Sequence, residues 1–196
     1  MKQSYLFIVL SVFLTTTLFG QATFKVDPES KITINGTSTL HDWSSDVGTI
    51  KGTYVFKDAV LKKKLPTSGS ITEEIKLVIP VTSIKSERGD AMNNKTHNAF
   101  KYETNPEIIF KVISDEVSPT SDTLTIKIDG TLTMAGHTEN ITVNFNVEKV
   151  GSKLHFTGAH TLNMVTYEME PPSAMFGQIK TGEEVTIEFD LLLNNE

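Results

Sequence analysis

The sequence predicts an all-β fold, an eight-stranded antiparallel barrel with a short helix in the 85–102 connection. Three observations carry this. Apolar residues alternate with polar ones in segment after segment, the period of a strand with one buried face and one wet face. The segments are joined mostly by short turns, and a period of two throughout argues antiparallel pairing rather than buried parallel strands. The 196 residues suit one domain, which at this size buries roughly 70% of its unfolded surface and needs no covalent staples. The same strand spacing would also suit a sandwich. A closed barrel of eight strands is just wide enough to hold a small elongated ligand.

The elements follow in order. Residues 1–20 read as a secretory signal, with Lys2 ahead of the apolar run Tyr5–Leu14 and a small residue, Gly20, at its end. That run is short for a bilayer span, which takes about 20 residues. Residues 21–196 then form the mature domain. Phe24 and Val26 begin a strand that Pro28 interrupts. Ile32–Leu40 resumes it, with Ile32, Ile34 and Gly36 in phase. His41–Gly48 is rich in Ser, Asp and Gly and reads as a turn or an irregular crossing; it holds the only tryptophan, Trp43. Thr49–Lys57 is the next strand, with Gly52, Tyr54 and Phe56 in phase. Asp58–Ser70 is a polar connection. Ile71–Val81 alternates again, and Pro80, which cannot donate to a ladder, belongs near its end. Ala91–Phe100 supports about two helical turns, closed by Asn105-Pro106. Four further strands follow: 107–117, 124–134, one centred on Ile141–Val147, and 154–164. Gly151-Ser152 marks a hairpin turn. Residues 165–182 read as a long loop, and the last strand runs through Val185, Ile187, Phe189, Leu191 and Leu193.

Composition narrows the function. The absence of cysteine excludes disulfides, thiolate metal sites, cysteine nucleophiles and a lipid-modified cysteine. A secreted chain without cysteine points to a bacterial envelope compartment, periplasmic or secreted. Losing residues 1–20 removes one lysine and no acid, so the formal charge goes from −6 to −7. An acidic surface argues against nucleic acid and against more than transient contact with anionic membranes. There is no Gly-x-Ser-x-Gly elbow and no phosphate loop, and the adjacent pairs Glu73-Glu74 and Glu183-Glu184 face opposite sides of a strand. The chain reads as no enzyme, with no cofactor. Its histidines, His41, His97, His137, His155 and His160, show no ligand spacing; His155 and His160 fall on opposite faces of one strand.

Five stretches together resemble the YceI family, and the chain is identified as a divergent member. They are Ile50-Lys51-Gly52-Thr53-Tyr54 in the first strands, Leu77–Ile84, Arg88-Gly89-Asp90 running on to Asn105-Pro106-Glu107-Ile108-Ile109-Phe110, Leu132-Thr133-Met134-Ala135-Gly136-His137-Thr138, and the closing Gly182-Glu183-Glu184-Val185-Thr186-Ile187-Glu188. The match spans nearly the whole mature chain. The resemblance implies a lipocalin-like barrel over 21–196 that holds an apolar isoprenoid-type lipid or a quinone-like amphiphile.

Candidate lining residues are then the in-phase set: Ile34, Gly36, Gly52, Tyr54, Phe56, Leu77, Ile79, Phe110, Val112, Ile126, Ile128, Phe145, Phe156, His160, Leu162, Ile187 and Phe189. The connections supply a candidate rim of Trp43, Phe100, Tyr102, Tyr167, Met175 and Phe176, since aromatic and thioether side chains suit the edge of a lipid pocket. The competing reading is an envelope interaction module in which the same residues simply fill the core. Glycines at inward parity and the resemblance favour a cavity. The sequence leaves the oligomeric state open, a dimer included.

Overall fold

A computed structural model describes residues 20–120 and 124–196. The expected signal segment, apart from Gly20, lies outside them. The elements are β1 (Gln21–Val26), β2 (Lys31–Ser38), β3 (Trp43–Val47), β4 (Lys51–Lys57), β5 (Thr72–Pro80), β6 (Ile84–Lys85), α1 (Asp90–Ala99), β7 (Glu107–Pro119), β8 (Leu124–Met134), β9 (His137–Val150), β10 (Lys153–Asn163), β11 (Ser173–Ala174) and β12 (Ile179–Asn195). Pairing runs β1-β4-β5-β7-β8-β9-β10-β12, and β12 returns to β1, so eight antiparallel strands close into a barrel.

β12 has two partners on its free side. Its C-terminal end pairs with β1 from Leu193 to Asn195, while its middle pairs with β2 from Val185 to Asp190. The chain passes from one to the other through Asp27–Ser30, the break that Pro28 predicts. Asp27 is buried there and fully bonded. Lys153 Nζ donates to its Oδ2 at 2.6 Å, Asn194 Nδ2 donates to the same oxygen at 2.7 Å, and the Glu29 amide donates to Oδ1 at 2.8 Å. β2 continues into β3 and β6, which extend the sheet beyond the closed ring.

Two expectations need correction. His41–Gly48 is not simply a turn, because Trp43–Val47 forms β3 against β2. Its Ser- and Asp-rich composition suits the wet face: Asp46 accepts a bond from the Thr33 hydroxyl at 3.0 Å, while Ser45 and Val47 are buried. The stretch 165–182 is also less irregular than it reads, since β11 pairs with the start of β12. A further feature was silent in the sequence. A bulge between Val112 and Ser114 puts Ile113 on the surface, 67% exposed, and switches the inward parity of β7 from Ile108 to Asp115 and Val117. Buried Asp115 accepts bonds from the Ile71 and Thr72 amides at 2.8 and 3.2 Å and fastens the 58–71 connection to β7.

The barrel is filled at one end. Phe24 meets Phe56 edge-on at 5.3 Å between ring centres, and Phe56 stacks on Phe156 at 5.9 Å. Ile126, Val147 and Leu154 pack around them, fully buried, and the 58–71 connection covers that end with Val60, Leu65 and Ile71. Lys149 Nζ holds this cover by donating to the carbonyls of Val60, Leu61 and Lys62 at 2.8–2.9 Å.

The bond from Lys153 is the leading reason that the Asp27 carboxyl titrates at about 2. A carboxylate held below its ordinary value stabilises the fold at every pH above that ordinary value, about 4, and the contribution is lost as pH falls through the folded value. Asp27→Asn is therefore expected to melt below the parent by a constant margin above about pH 4, and the margin should close toward pH 2. Thermal unfolding across that range measures it, and an unchanged margin at the acid end contradicts the account.

Candidate functional site

The other end of the barrel holds a cavity of about 140 Å³. Every long strand of the ring from β5 to β12 contributes to its wall at alternate positions, which is why the wall is apolar. Leu77 and Ile79 come from β5, Ile108 and Phe110 from β7, Leu132 and Met134 from β8, Ile141, Val143 and Phe145 from β9, and Leu162 from β10. Val185, Ile187, Phe189 and Leu191 come from β12. β2 adds Ile32 and Ile34, β3 adds Trp43, Ser45 and Val47, and α1 closes over the space with Thr96 and Ala99, followed by Phe100. Ile84 of β6, with Met164, Met169 and Pro172 from the 164–172 connection, completes the wall. Its polar members are Ser45, Thr96 and His160.

α1 is held down by its own polar side chains. Asn93 Oδ1 accepts from the Ser86 amide at 2.7 Å, and His97 Nε2 bonds the Ile84 carbonyl at 3.0 Å; both residues are buried. Helical spacing then turns Thr96, Ala99 and Phe100 into the cavity.

Phe145 marks the floor. Its ring meets Phe156 of the filled end at 6.2 Å and Phe189 of the cavity wall at 5.3 Å. This boundary sorts the sequence candidates. Ile34, Leu77, Ile79, Phe110, Phe145, His160, Leu162, Ile187 and Phe189 line the cavity, as do Trp43 and Phe100 from the candidate rim. Tyr54, Phe56, Ile126, Ile128 and Phe156 point inward as parity predicts, but they lie in the packed core rather than the wall. Val112 packs against that core. Tyr54 donates to the Lys51 carbonyl at 2.9 Å, and burial pushes its phenol well up. Tyr102 rests beside His97, and Tyr167 is buried against His137, its phenol pushed up to about 12 by burial and by Glu139. Met175 is exposed and Phe176 stands fully out in solvent.

The glycines act differently from the expectation that they leave empty room. Gly36 sits opposite Trp43 in the β2–β3 ladder, and the indole fills the place of the missing side chain; a Cβ there would lie 2.6 Å from Cε2. Trp43 Nε1 donates to the Thr37 carbonyl at 2.9 Å, which fixes the ring over Gly36. Gly52 is exposed at φ +145°, and a side chain there would collide with the Lys76 carbonyl, so it lines nothing.

His160 has the inward parity and sits in the wall, where burial lowers its pKa. His155 faces outward and bridges Glu148 at 2.9 Å and Asp190 at 2.7 Å. Several wall residues escaped the candidate set although they share its phase, among them Leu132, Met134, Ile141, Val143, Val185 and Leu191. Parity flags them equally, but nothing in parity ranks them above their neighbours. Ser45 and Val47 were hidden by the reading of β3 as a turn.

At Trp43, Ser45, Thr96 and Pro172 the cavity adjoins a second pocket of about 120 Å³, whose lining mixes Met92 and Ile179 with His41, Ser86, Arg88 and Lys95. Together, a closed antiparallel barrel of eight strands and an apolar cavity at one end define a lipocalin-like class of barrel. Comparison with known families makes this specific. A family model described as the YceI-like domain matches residues 24–193, and the chain belongs to that family. Among solved structures it is similar to BcnA of Burkholderia cenocepacia, with a TM-score of 0.64 and 20% identity over 86% of this chain and 99% of that one. It is similar to a polyisoprenoid binding domain from Saccharophagus degradans, implicated in plant cell wall breakdown, with a TM-score of 0.62 and 12% identity over 89% and 98% of the two chains. The YceI protein of Campylobacter jejuni matches with a TM-score of 0.58 and 14% identity over 78% and 84%. A comparison with curated proteins finds no match.

Placing a branched side chain under the indole should displace it. Gly36→Val is expected to cost about 1–3 kcal/mol, the usual range for overpacking, and to shift the emission of the sole tryptophan to the red as it loses Thr37 and meets water. Fluorescence and denaturant unfolding read both; an unshifted spectrum would show that Trp43 is not seated on Gly36.

Proposed function

We propose that this protein is a periplasmic or secreted binding protein that holds a long apolar isoprenoid-type lipid, or a quinone-like amphiphile, in the barrel. The observation that carries the reading is the cavity wall, built from aliphatic, aromatic and thioether side chains of nearly every strand. Such a wall offers affinity through buried area, about 25 cal/mol per Å², and little directional specificity. Methionines 134, 164 and 169 add side chains that repack around tails of different shape. The polyisoprenoid binding of the Saccharophagus neighbour and the shared family support the same class of ligand. The cavity weighs against the alternative of a uniformly filled core. The site offers binding groups and no constellation for catalysis, and the signal-like N-terminus supports the envelope location.

The protein purified without detergent should carry lipid, read by mass spectrometry of an organic extract. Added isoprenoid alcohol should raise the melting temperature of stripped protein, because a ligand bound only by the native state stabilises it. Leu77→Trp, which pushes a ring into the cavity, is expected to abolish both effects while leaving the barrel's circular dichroism intact. Empty extracts together with no thermal shift would overturn the reading.

A further inference from the structure

Most large apolar side chains of the barrel are buried, but three of the exposed ones meet at the cavity end. Leu40, Met175 and Phe176 are 66%, 64% and 110% exposed. Leu40 lies in the turn between β2 and β3, and Met175 and Phe176 lie in the turn between β11 and β12. The two turns are bonded side by side. The Thr39 amide donates to the Lys180 carbonyl at 3.0 Å, and the Lys180 amide donates to the Thr39 hydroxyl at 3.3 Å. Pro172, just ahead of β11, lines the apolar cavity, while Ser173, Ile179 and His41 line the pocket that adjoins it. The tips therefore flank the end of the barrel where the cavity lies.

Both tips are built rather than slack. The Ser38 hydroxyl accepts from the amides of Leu40 and His41 at 3.3 and 3.2 Å. The Gln178 amide donates to the Met175 carbonyl at 3.2 Å, and Lys95 Nζ ties the hairpin to α1 through the Ser173 carbonyl at 2.7 Å. Met175 and Phe176 hold φ of +50° and +56°, the left-handed region that residues with a side chain avoid. The product of that strain is a phenyl ring projecting into solvent, the reverse of what burial favours, and strain kept at such a point suggests use.

We infer that the paired tips dock the protein on the surface of a phospholipid bilayer, with Phe176, Met175 and Leu40 inserted and the cavity end turned toward the membrane. The inference goes beyond the lipid-binding reading, because it is argued from the outer surface and not from the cavity. Two features favour a bilayer over a protein partner. The apolar groups project from two turns instead of sharing a sheet face, and the polar groups of Thr39, Ser173 and Gln178 lie beside them. An apolar point with a polar collar matches the passage from acyl chain to head group. Charge agrees with this. Residues 171–182 hold no carboxylate, and their one charge is exposed Lys180, in a chain of formal charge −6. On the other turn His41, bonded to Arg88, offsets exposed Asp42. An anionic lipid surface that repels the rest of the molecule thus has no such quarrel with the tips. Three inserted side chains give a weak, reversible attachment, in keeping with transient contact.

The test is flotation of the processed protein, free of its signal segment, with large vesicles of phosphatidylethanolamine and phosphatidylglycerol at millimolar lipid. The parent is expected in the vesicle fraction. Phe176→Asn should weaken partitioning about tenfold or more through loss of one buried ring. It should leave the melting temperature equal or higher, because asparagine accepts the left-handed backbone. Adding Met175→Asn and Leu40→Ser should abolish binding. Ile113→Ser, which removes a comparably exposed side chain from β7, should change nothing. The chain has no cysteine, so Phe176→Cys carries a single environment-sensitive dye, expected to shift to the blue with vesicles, whereas the same dye at Ile113→Cys stays unshifted. A parent that remains in the soluble fraction, binding that the triple variant keeps, or an equal loss with Ile113→Ser overturns the inference. A dimer in solution that Phe176→Asn splits, without vesicle binding, makes the tips an interface between copies and also overturns it. Lipid carried in the organic extract without vesicle binding sinks this inference alone, and vesicle binding by protein with empty extracts sustains it without the lipid-binding reading.

Discussion

The structure depends on how β12 closes the barrel. One long strand is shared by two partners, β1 at the filled end and β2 at the cavity end, and the hand-over between them is pinned by buried Asp27. A buried carboxylate is costly unless its lone pairs are used; here an ammonium, a side-chain amide and a backbone amide use them. The break lets β2 leave the ring and pair with β3, which brings Trp43 to the cavity wall. The closure at one end and the site at the other thus follow from the same four-residue interruption.

The interior is divided rather than uniform. The Phe24, Phe56, Phe156 and Phe145 series forms a dry core, and each such ring contributes about 1.5–3 kcal/mol by leaving water. Unfilled space works the other way. At about 24 cal/mol per Å³, a cavity of 140 Å³ corresponds to about 3 kcal/mol of forgone packing. That is a large share of a typical domain's 5–15 kcal/mol. The aromatic end, together with its lysine-bonded cover, offsets that loss, and a ligand filling the space would recover part of it.

Much of this was legible in the sequence. Period-two alternation identifies the strands, and with the family motifs it leads to the closed barrel. Alternation also told which side chains point inward: Phe56 and Phe189, both flagged, are both inside. It could not tell that Phe56 lies in the packed core and Phe189 in the cavity wall, because height along the barrel axis is set by strand register and not by parity. β3 was hidden for a different reason. Its wet face carries serine and aspartate, residues that also make turns, and its pairing with β2 is a tertiary fact. The glycines misled in an instructive way: Gly36 is small because the tryptophan opposite fills its place.

The aromatic floor at Phe145 makes the cavity a cup rather than a pipe. Under the proposed role, a chain that entered tail-first would have to leave head-first, by the way it came. Its end would stop at the phenyl rings, and whatever length exceeded the depth of the cup would have to fold back or stay outside. The position of Phe145 along β9 would therefore act as a gauge stop. Relatives with a smaller residue at the corresponding height would accept longer tails, and relatives with a ring nearer the mouth shorter ones, on an otherwise unchanged barrel.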